Sequence, residues 1–183
     1  MTTKRPLWAE TSELMRNYYD TKWGVPEHDD RELFKILTLE LFQSGLSWST
    51  IWKREAAFEK AFANFDAAKV AVFDQEDFKR LMNDSTIIRN RRKIMATINN
   101  AKVIQELLAD GETLNNYVWS FVNFKPQRLQ LNGKRLPSQT SESKKMARKM
   151  KADGFQFVGP TTAYSFMTAV GMVNAREDES IYV

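Results

Sequence analysis

The stretch KKMARKMKADGFQFVGPTTAYSF, residues 144–166, contains the pattern that decides the fold. A basic helical run is stopped at Gly154, and a short connection leads to Gly159. Pro160 then stands where the first turn of a new helix tolerates a residue without an N–H. The pattern predicts a helix, a tight hairpin and a second helix. Because such elements also occur in purely structural α-bundles, a structural role stays open.

The start of the second helix suggests a ligand for this element. The backbone amides of Gly159 and of residues just beyond it, such as Thr161, are predicted to point outward at a helix N-terminus. There the helix dipole favours an anion such as a DNA phosphate. We therefore expect Gly159 and Thr161 to bind DNA through its backbone, without reading its sequence.

Apolar residues recur at helical spacing along nearly the whole chain, which predicts an all-α fold. The longest helix is expected over 89–110, and a single helix after Ser47 is expected to carry both Trp48 and Phe62. Candidate N-caps precede several helices, namely Asp29, Ser47, Asp66, Asp74 and Thr113. Residues 123–140 interrupt the pattern with two prolines and an Asn132-Gly133 turn, so a small hairpin is expected only there.

Composition excludes several classes of site. Cysteine is absent, which rules out disulfides, thiolate metal sites and thiol nucleophiles. The single histidine, His28, lies in a polar loop, and a solvated surface position is the simpler interpretation. No apolar run is long enough for a membrane span or a signal peptide. We expect a cytoplasmic protein without a membrane partner, with one domain spanning 1–183.

Charge is distributed unevenly along the chain. The net charge is +4, but residues 89–151 hold fourteen Lys and Arg against four Asp and Glu. Such asymmetry favours a polyanionic partner for one face of the protein. Solvated helix faces are the alternative explanation.

One carboxylate lies in the apolar helix of LELFQSGLSW, residues 39–48. Glu40 shares a helix face with Leu33 and Leu37, both of which belong in a core. A carboxylate removed from water is costly unless donors or a positive charge compensate it. A cationic nucleobase with an exocyclic amino group would supply both. An internal arginine, or a helix that Glu40 caps, is the alternative.

Four aromatic residues are predicted to lie near helix ends or loops, where rings can line a cleft: Trp8, Tyr18, Trp23 and Trp48. For each one alone, a place in the core is the more common role. Beside a buried carboxylate, however, the set could clasp a planar cationic purine, with a cation–π contribution of about 0.5 to 2 kcal/mol.

Five segments, in this order, resemble the bacterial DNA-3-methyladenine glycosylase I (Tag) family: YYDTKWGVPEHD, LFKILTLELFQSGLSWSTIWKREAAFEKAF, IIRNRRKI, YVWSFVN and GFQFVGPTTAYSFMTAVGMVN. With Trp8 they extend the resemblance from about Trp8 to Asn174. The resemblance implies an all-α helix-hairpin-helix glycosylase bundle, with two lobes around a base-binding cleft. It also implies base flipping and hydrolysis of the N-glycosidic bond of 3-methyladenine in DNA, which leaves an abasic site for base excision repair.

The resemblance also assigns residues by matching position. Glu40 would be the catalytic residue that hydrogen-bonds the extruded base, and the base would stack on Trp48. Tyr18, Trp23 and Trp8 would complete the pocket. Gln43, Gly45 and Leu46 would enter the duplex, with Leu46 filling the gap, and the amides around Gly159 would clamp a phosphate.

Two departures from the family pattern concern a metal site and the pocket. Many members join their termini through zinc held by two cysteines and two histidines, but Pro6, Tyr19 and Arg176 stand at or near three of those positions here. The tail REDESIYV adds no cysteine. We therefore expect no metal and no cofactor. Met15 and Phe42 replace a tyrosine and a more polar residue, which could shift base affinity.

The mechanism expected from these residues uses water as the nucleophile. Methylation at N3 makes adenine cationic, so the base leaves as a neutral molecule and needs no strong general acid. The superfamily aspartate after the hairpin is replaced by the region of Asn174 and Ala175. No lysine stands at an evident Schiff-base position, so we expect a monofunctional enzyme.

Three functions compete at this point. The first is a monomeric glycosylase whose partners are alkylated double-stranded DNA and the 3-methyladenine product. The second is a non-catalytic DNA-damage-binding protein on the same scaffold, against which the pairing of Glu40 with Trp48 speaks. The third is an RNA-binding or nucleotide-hydrolysing helical protein, which would leave residues 43–46 without a purpose.

Overall fold

Helices account for nearly all regular structure in the computed structural model, which describes residues 5–129 and 137–176. The ten helices of this part are α1 Glu13–Thr21, α2 Asp30–Gln43, α3 Trp48–Trp52, α4 Glu55–Ala61, α5 Ala67–Ala71, α6 Gln75–Asn83, α7 Arg91–Ala109, α8 Leu114–Ser120, α9 Ser141–Ala152 and α10 Pro160–Ala169. Two short 3-10 helices, Ala9–Thr11 and Ala63–Phe65, and two-residue strands, β1 Gln127–Arg128 and β2 Val173–Asn174, complete the regular structure of this part. The prediction of an all-α helix-hairpin-helix fold is confirmed.

Side-chain caps explain where most of these helices begin. Asp29 accepts hydrogen bonds from the amides of Arg31 and Glu32, both at 3.0 Å, and so caps α2. The other predicted caps, Ser47, Asp66, Asp74 and Thr113, accept from backbone amides in the same way. The predicted N-caps are therefore confirmed.

The predicted helix from Trp48 to Phe62 is wrong, because the chain breaks after Trp52. Arg54 has φ −109° and ψ 8°, which is outside the helical range, and α4 starts only after it. The two short helices pack on different partners. Trp52 lies 3.9 Å from Tyr18 between ring centroids, whereas Phe58 lies 4.8 Å from Phe42.

The predicted hairpin in residues 123–140 is not formed by the described part of that segment. β1 instead pairs in parallel with β2, and Gln127 donates its amide to the Met172 carbonyl at 2.8 Å. This pairing joins the segment to the chain that follows α10. The Asn132-Gly133 turn lies outside the described residues.

The apolar core receives side chains from all ten helices of the described chain. α2 is its central member, since residues Leu33, Phe34, Leu37, Leu39, Leu41 and Phe42 are all buried. The assignment of 1–183 as one domain stays a prediction. Within the described ranges, every helix is too short or too polar to cross a lipid bilayer.

A close backbone approach fixes α10 against the loop between α1 and α2. The amide of Gly24 donates to Ala169 at 3.0 Å, and that of Glu27 donates to Val170 at 3.1 Å. Gly171 follows with φ +74°, and a Cβ placed there would lie 2.6 Å from the Pro26 nitrogen. This contact requires glycine, and it brings the end of α10 next to Trp23.

Replacement of Gly171 by alanine should therefore destabilise the protein far more than the same change at Gly111. Gly111 has φ +83° but nothing within 4 Å of its virtual Cβ, so only backbone strain applies. For Gly111→Ala we expect a cost of about 1 to 2 kcal/mol and a fall in Tm of roughly 2 to 8 °C. Gly171→Ala should lower Tm by more than about 10 °C or prevent folding. Equal shifts in thermal unfolding by circular dichroism would contradict the close approach.

Candidate functional site

Glu40 lies in the penultimate turn of α2 and is only 5% exposed. Within residues 5–129 and 137–176 its side chain makes no hydrogen bond or ion pair. Burial raises the pKa of the Glu40 carboxyl to about 8, so the group carries a proton at neutral pH. The alternative explanations, an arginine partner or a capped helix, therefore receive no support from the described residues.

The carboxyl faces a cavity of about 230 Å³. Its lining comprises Trp8, Trp23, Glu40, Gln43, Trp48, Ser165 and Thr168. At about 30 Å³ per water molecule, this volume would hold about eight waters, which is enough space for a bicyclic base. Three of the four predicted pocket aromatics thus meet the predicted acid in one cavity.

Tyr18 is the exception among the predicted pocket aromatics, because it lies behind the cavity. Its ring centroid is 5.6 Å from that of Trp48 and 6.3 Å from that of Trp8. Burial, and then the nearby Glu40 carboxyl, raises the pKa of Tyr18, so the phenol stays protonated. Tyr18 therefore supports the ring cluster and the acid from behind.

The indole rings that line the cavity are linked to one another, Trp8 and Trp23 directly and Trp48 through Tyr18. Trp8 meets Trp23 edge-on at 5.4 Å between centroids. The Trp48 N–H lies close enough to the Tyr18 phenol to lower its pKa slightly, yet it forms no hydrogen bond of regular geometry within the described chain. These rings are therefore held by packing more than by hydrogen bonds.

Two lining residues, Ser165 and Thr168, were missed by the sequence analysis. They lie three residues apart on α10, on one helix face, and the Thr168 hydroxyl donates to the Ser165 carbonyl at 2.8 Å. Thr168 is buried. Two hydroxyls at helical spacing among the apolar residues in the second half of α10 were the available signal, and it is the same kind of signal that singled out Glu40.

The loop after α2 is closed on itself. The Gln43 side chain donates to the Leu46 carbonyl at 2.7 Å, and the Leu46 amide donates back to the Gln43 carbonyl at 2.7 Å. Gly45 has φ +83°, which permits this turn. Leu46 remains 38% exposed. An apolar side chain therefore stands at the surface beside a residue that lines the cavity.

The predicted hairpin is formed by α9, the connection 153–159 and α10. Gly154 has φ +97°, the value that a glycine stop requires. Gly159 is the N-cap of α10, and no side chain caps this end. Gly159, Pro160 and Thr161 are all exposed. The first amides of a ten-residue helix thus face solvent, as an anion site requires.

The residues at the family's zinc positions do not fit a zinc ion. Arg176 donates from Nη1 to the carbonyls of Tyr19 and Trp23, each at 2.6 Å. Its guanidinium carbon lies 4.3 Å from the centroid of the Tyr19 ring. In the described chain no group of three or more His, Cys, Asp or Glu side chains could hold a metal ion. A cation–π contact therefore links the chain after β2 to α1.

Met15 and Phe42, the two departures in the pocket, are buried in the core and do not line the cavity. Phe42 packs edge-on against Phe58. Any effect of these residues on base affinity would therefore be indirect. His28 is exposed, stacks on Trp119 at 4.4 Å and bonds to Asn115, so it has no place in the cavity.

Comparison with known proteins identifies the family. The family model described as methyladenine glycosylase matches residues 8–182. This chain belongs to the methyladenine glycosylase family. It is 43% identical over 168 residues to DNA-3-methyladenine glycosylase 1 of Escherichia coli (strain K12), covering 91% of this chain and 90% of that relative.

Solved structures agree with this assignment. A crystal structure of 3-methyladenine DNA glycosylase I matches with a TM-score of 0.90 and 40% identity, over 94% of this chain and 95% of the other. A crystal structure of a variant of 3-methyladenine DNA glycosylase I in complex with 3-methyladenine matches with a TM-score of 0.86 and 35% identity, over 92% and 91% of the two chains.

Replacement of Glu40 by glutamine should stabilise this glycosylase-family protein more at high pH than at low pH. Between pH 4.5 and 8 the unfolded chain releases a proton that the folded chain retains, so the wild type loses stability as pH rises. Glutamine removes this loss. We expect the gain in Tm to be larger at pH 8 than at pH 5 by roughly 5 to 10 °C.

The matched control is Glu106→Gln, an exposed glutamate on α7. Its effect on Tm should be small and the same at both pH values. A gain for Glu40→Gln that does not grow with pH would show that Glu40 is ionised in the folded protein.

Proposed function

We propose that this protein is a DNA-3-methyladenine glycosylase that extrudes the alkylated base and hydrolyses its N-glycosidic bond, leaving an abasic site. One observation carries the proposal: a buried carboxyl without a partner in the described chain, Glu40, faces an indole-lined cavity of base size. The relatives named as glycosylases of this lesion, and one solved in complex with the free base, support it.

The chemistry of the lesion matches the needs of the Glu40 carboxyl. In DNA, 3-methyladenine is cationic, and it carries an exocyclic amino group. A base of this kind brings a positive charge and a donor to a carboxyl that otherwise stays neutral. Ionisation of Glu40 then becomes favourable, because a charge-assisted hydrogen bond is about twice as strong as a neutral one. Unmodified adenine brings no charge and gains less.

The indole walls add to this selectivity. A cationic ring beside Trp8, Trp23 or Trp48 gains about 0.5 to 2 kcal/mol from the ring quadrupole. The cavity has room for a bicyclic base beside these rings. In the proposed complex the base occupies the cavity, with the sugar at the cavity mouth.

Extrusion requires the gap in the duplex to be filled and the DNA backbone to be held. Leu46 is the side chain that fills the gap, because it is exposed beside the cavity on a loop closed by Gln43 and Gly45. The open amides at Gly159 and Thr161 hold a phosphate through the α10 dipole.

Hydrolysis follows with water as the nucleophile. The positive charge on the base weakens the glycosidic bond, so the base leaves neutral without a strong acid. The lining of the cavity includes no lysine that could form a Schiff base with the sugar. We infer a monofunctional hydrolase of N-glycosyl bonds that acts as a monomer, with 1–183 forming one domain.

Glu40→Gln should reduce the release of 3-methyladenine from methylated duplex DNA by about 10- to 150-fold, because a hydrogen bond to a charged group contributes about 1.5 to 3 kcal/mol. The measurement is single-turnover release, with the free base quantified by chromatography. Glu106→Gln, exposed on α7, should keep the wild-type rate. A Glu40→Gln rate equal to wild type would remove the assigned role. Tight binding of lesion DNA by the wild type without base release would favour the damage-binding alternative.

Leu46→Ala should weaken binding to duplex DNA that contains an abasic analogue, by about tenfold or more, because truncating a buried leucine costs about 2 kcal/mol. Affinity for free 3-methyladenine should stay within about twofold, since Leu46 does not line the cavity. Leu108→Ala is the matched control, because Leu108 is 43% exposed on α7 against 38% for Leu46. Equal losses of duplex and free-base affinity would contradict a gap-filling role.

A further inference from the structure

Helix α7 makes hydrogen bonds to both loops that the proposed function places on DNA. We name the plug loop, residues 43–46, and the hairpin loop, residues 153–159. The two loops are far apart in sequence, and neither bonds to the other through its backbone in the described chain. Both are instead held by side chains of α7, namely Lys93, Asn99 and Asn100.

Lys93 holds the plug loop. Its Nζ donates to the Phe42 carbonyl at 2.8 Å and to the Ser44 carbonyl at 2.6 Å. These carbonyls lie at the C-terminal end of α2, where the helix leaves acceptors unpaired and favours a cation. Lys93 is 7% exposed and forms no ion pair within the described residues. A buried ammonium is thus committed to two carbonyls that flank Gln43.

Asn100 holds the hairpin loop. It is 2% exposed, donates to the Gln156 carbonyl at 3.1 Å and accepts from the Gln156 amide at 2.7 Å. Asn99 adds a bond to the Gly154 carbonyl at 2.8 Å. Phe157, the next residue, has φ +59°, which is strained for a bulky side chain. The two hydrogen bonds from the Asn100 side chain to the amide and the carbonyl of Gln156 support this conformation.

The two side chains that hold the loops, Lys93 and Asn100, lie on one rigid helix, α7. Lys93 and Asn100 are seven residues apart on one continuous helix, which places them about two turns and roughly 10.5 Å apart on the same face. A helix of this length does not stretch. Together with the direct packing of α2 on α10, α7 therefore fixes the separation between Leu46 and the amides of α10.

We propose that Lys93 and Asn100 are positioning residues, through which α7 holds the plug loop and the hairpin loop at the spacing that duplex DNA requires. The proposal rests on the proposed function, in which one loop fills the gap while the other grips the backbone. Neither residue touches the base. Each acts through the backbone of the loop that it bonds, 42–44 for Lys93 and 156 for Asn100.

Two substitutions remove the hydrogen bonds from α7 to the two loops with little change of side-chain shape. Lys93→Met keeps the aliphatic stem without the ammonium, and Asn100→Ala removes both bonds to Gln156. Each should weaken binding to a duplex with an abasic analogue by about tenfold and lower the single-turnover rate constant. Affinity for free 3-methyladenine should stay within about twofold of wild type. Lys93→Arg, which keeps donors at this site, should recover most of the loss.

Matched controls separate positioning from folding. Lys69→Met changes a lysine that is 70% exposed on α5, and Asn116→Ala changes an exposed asparagine on α8, so both should behave as wild type. A variant that only lowers the folded fraction leaves the single-turnover rate constant at saturating enzyme unchanged and raises the total protein concentration needed to reach it. Hydrogen exchange at residues 44–46 in Lys93→Met, and at 156–158 in Asn100→Ala, should be faster than in wild type.

The double variant Lys93→Met/Asn100→Ala tests the common support. If α7 holds the two loops at a common spacing, adding the second substitution to the first should weaken duplex binding by a smaller factor than the second substitution does in the wild type. Strictly multiplicative losses would show two independent loop anchors and overturn the proposal. Duplex affinities and rate constants within twofold of wild type, with only Tm lowered, would overturn it as well.

Base release by the wild type tests the proposed function, whereas loop exchange and duplex binding in the variants test the positioning role. If the wild type releases no 3-methyladenine, the proposed function fails. Faster exchange in both loops, together with weaker binding of the abasic duplex by the single variants, would still support the positioning role.

Discussion

The cost of keeping the Glu40 carboxyl out of water is the constraint on which the rest of the structure depends. In the described chain no partner compensates it, so the apolar side chains of α2 must offset the cost. This explains why α2 is central, with Leu37 and Leu41 fully buried on either side of the acid. A cavity that served stability alone would carry an apolar residue at this position.

The residues of the cavity could largely be found from sequence, because each violates a local expectation. Glu40 is an acid on an apolar helix face, and Trp48 starts the helix that Ser47 caps. The hairpin was equally visible, since Gly154 and Pro160 mark a stop and a start. Such signals involve neighbours within one or two turns and need no knowledge of tertiary contacts.

The features that could not be predicted from the sequence depend on contacts between distant segments. Lys93 meets carbonyls 49 and 51 residues away, and Asn100 meets Gln156 across 56 residues. The break between α3 and α4, the parallel pairing of β1 with β2, and the position of Tyr18 behind the cavity are of the same kind. A periodicity shows which face is buried, but it does not show which partner covers that face.

The protonated state of Glu40 explains why the proposed site would prefer a cationic base to a neutral one. A carboxylate that was always ionised would attract any hydrogen-bond donor, including unmodified bases. It would also lower the stability of the folded protein at neutral pH. A carboxyl with a pKa of about 8 is mostly neutral at pH 7, and a ligand that brings positive charge into the cavity favours its ionisation. In the proposed complex, binding of the lesion would be coupled to release of a proton, and a cationic base would gain more electrostatic energy than a neutral one. The same property makes the folded protein tolerate the acid until the base arrives.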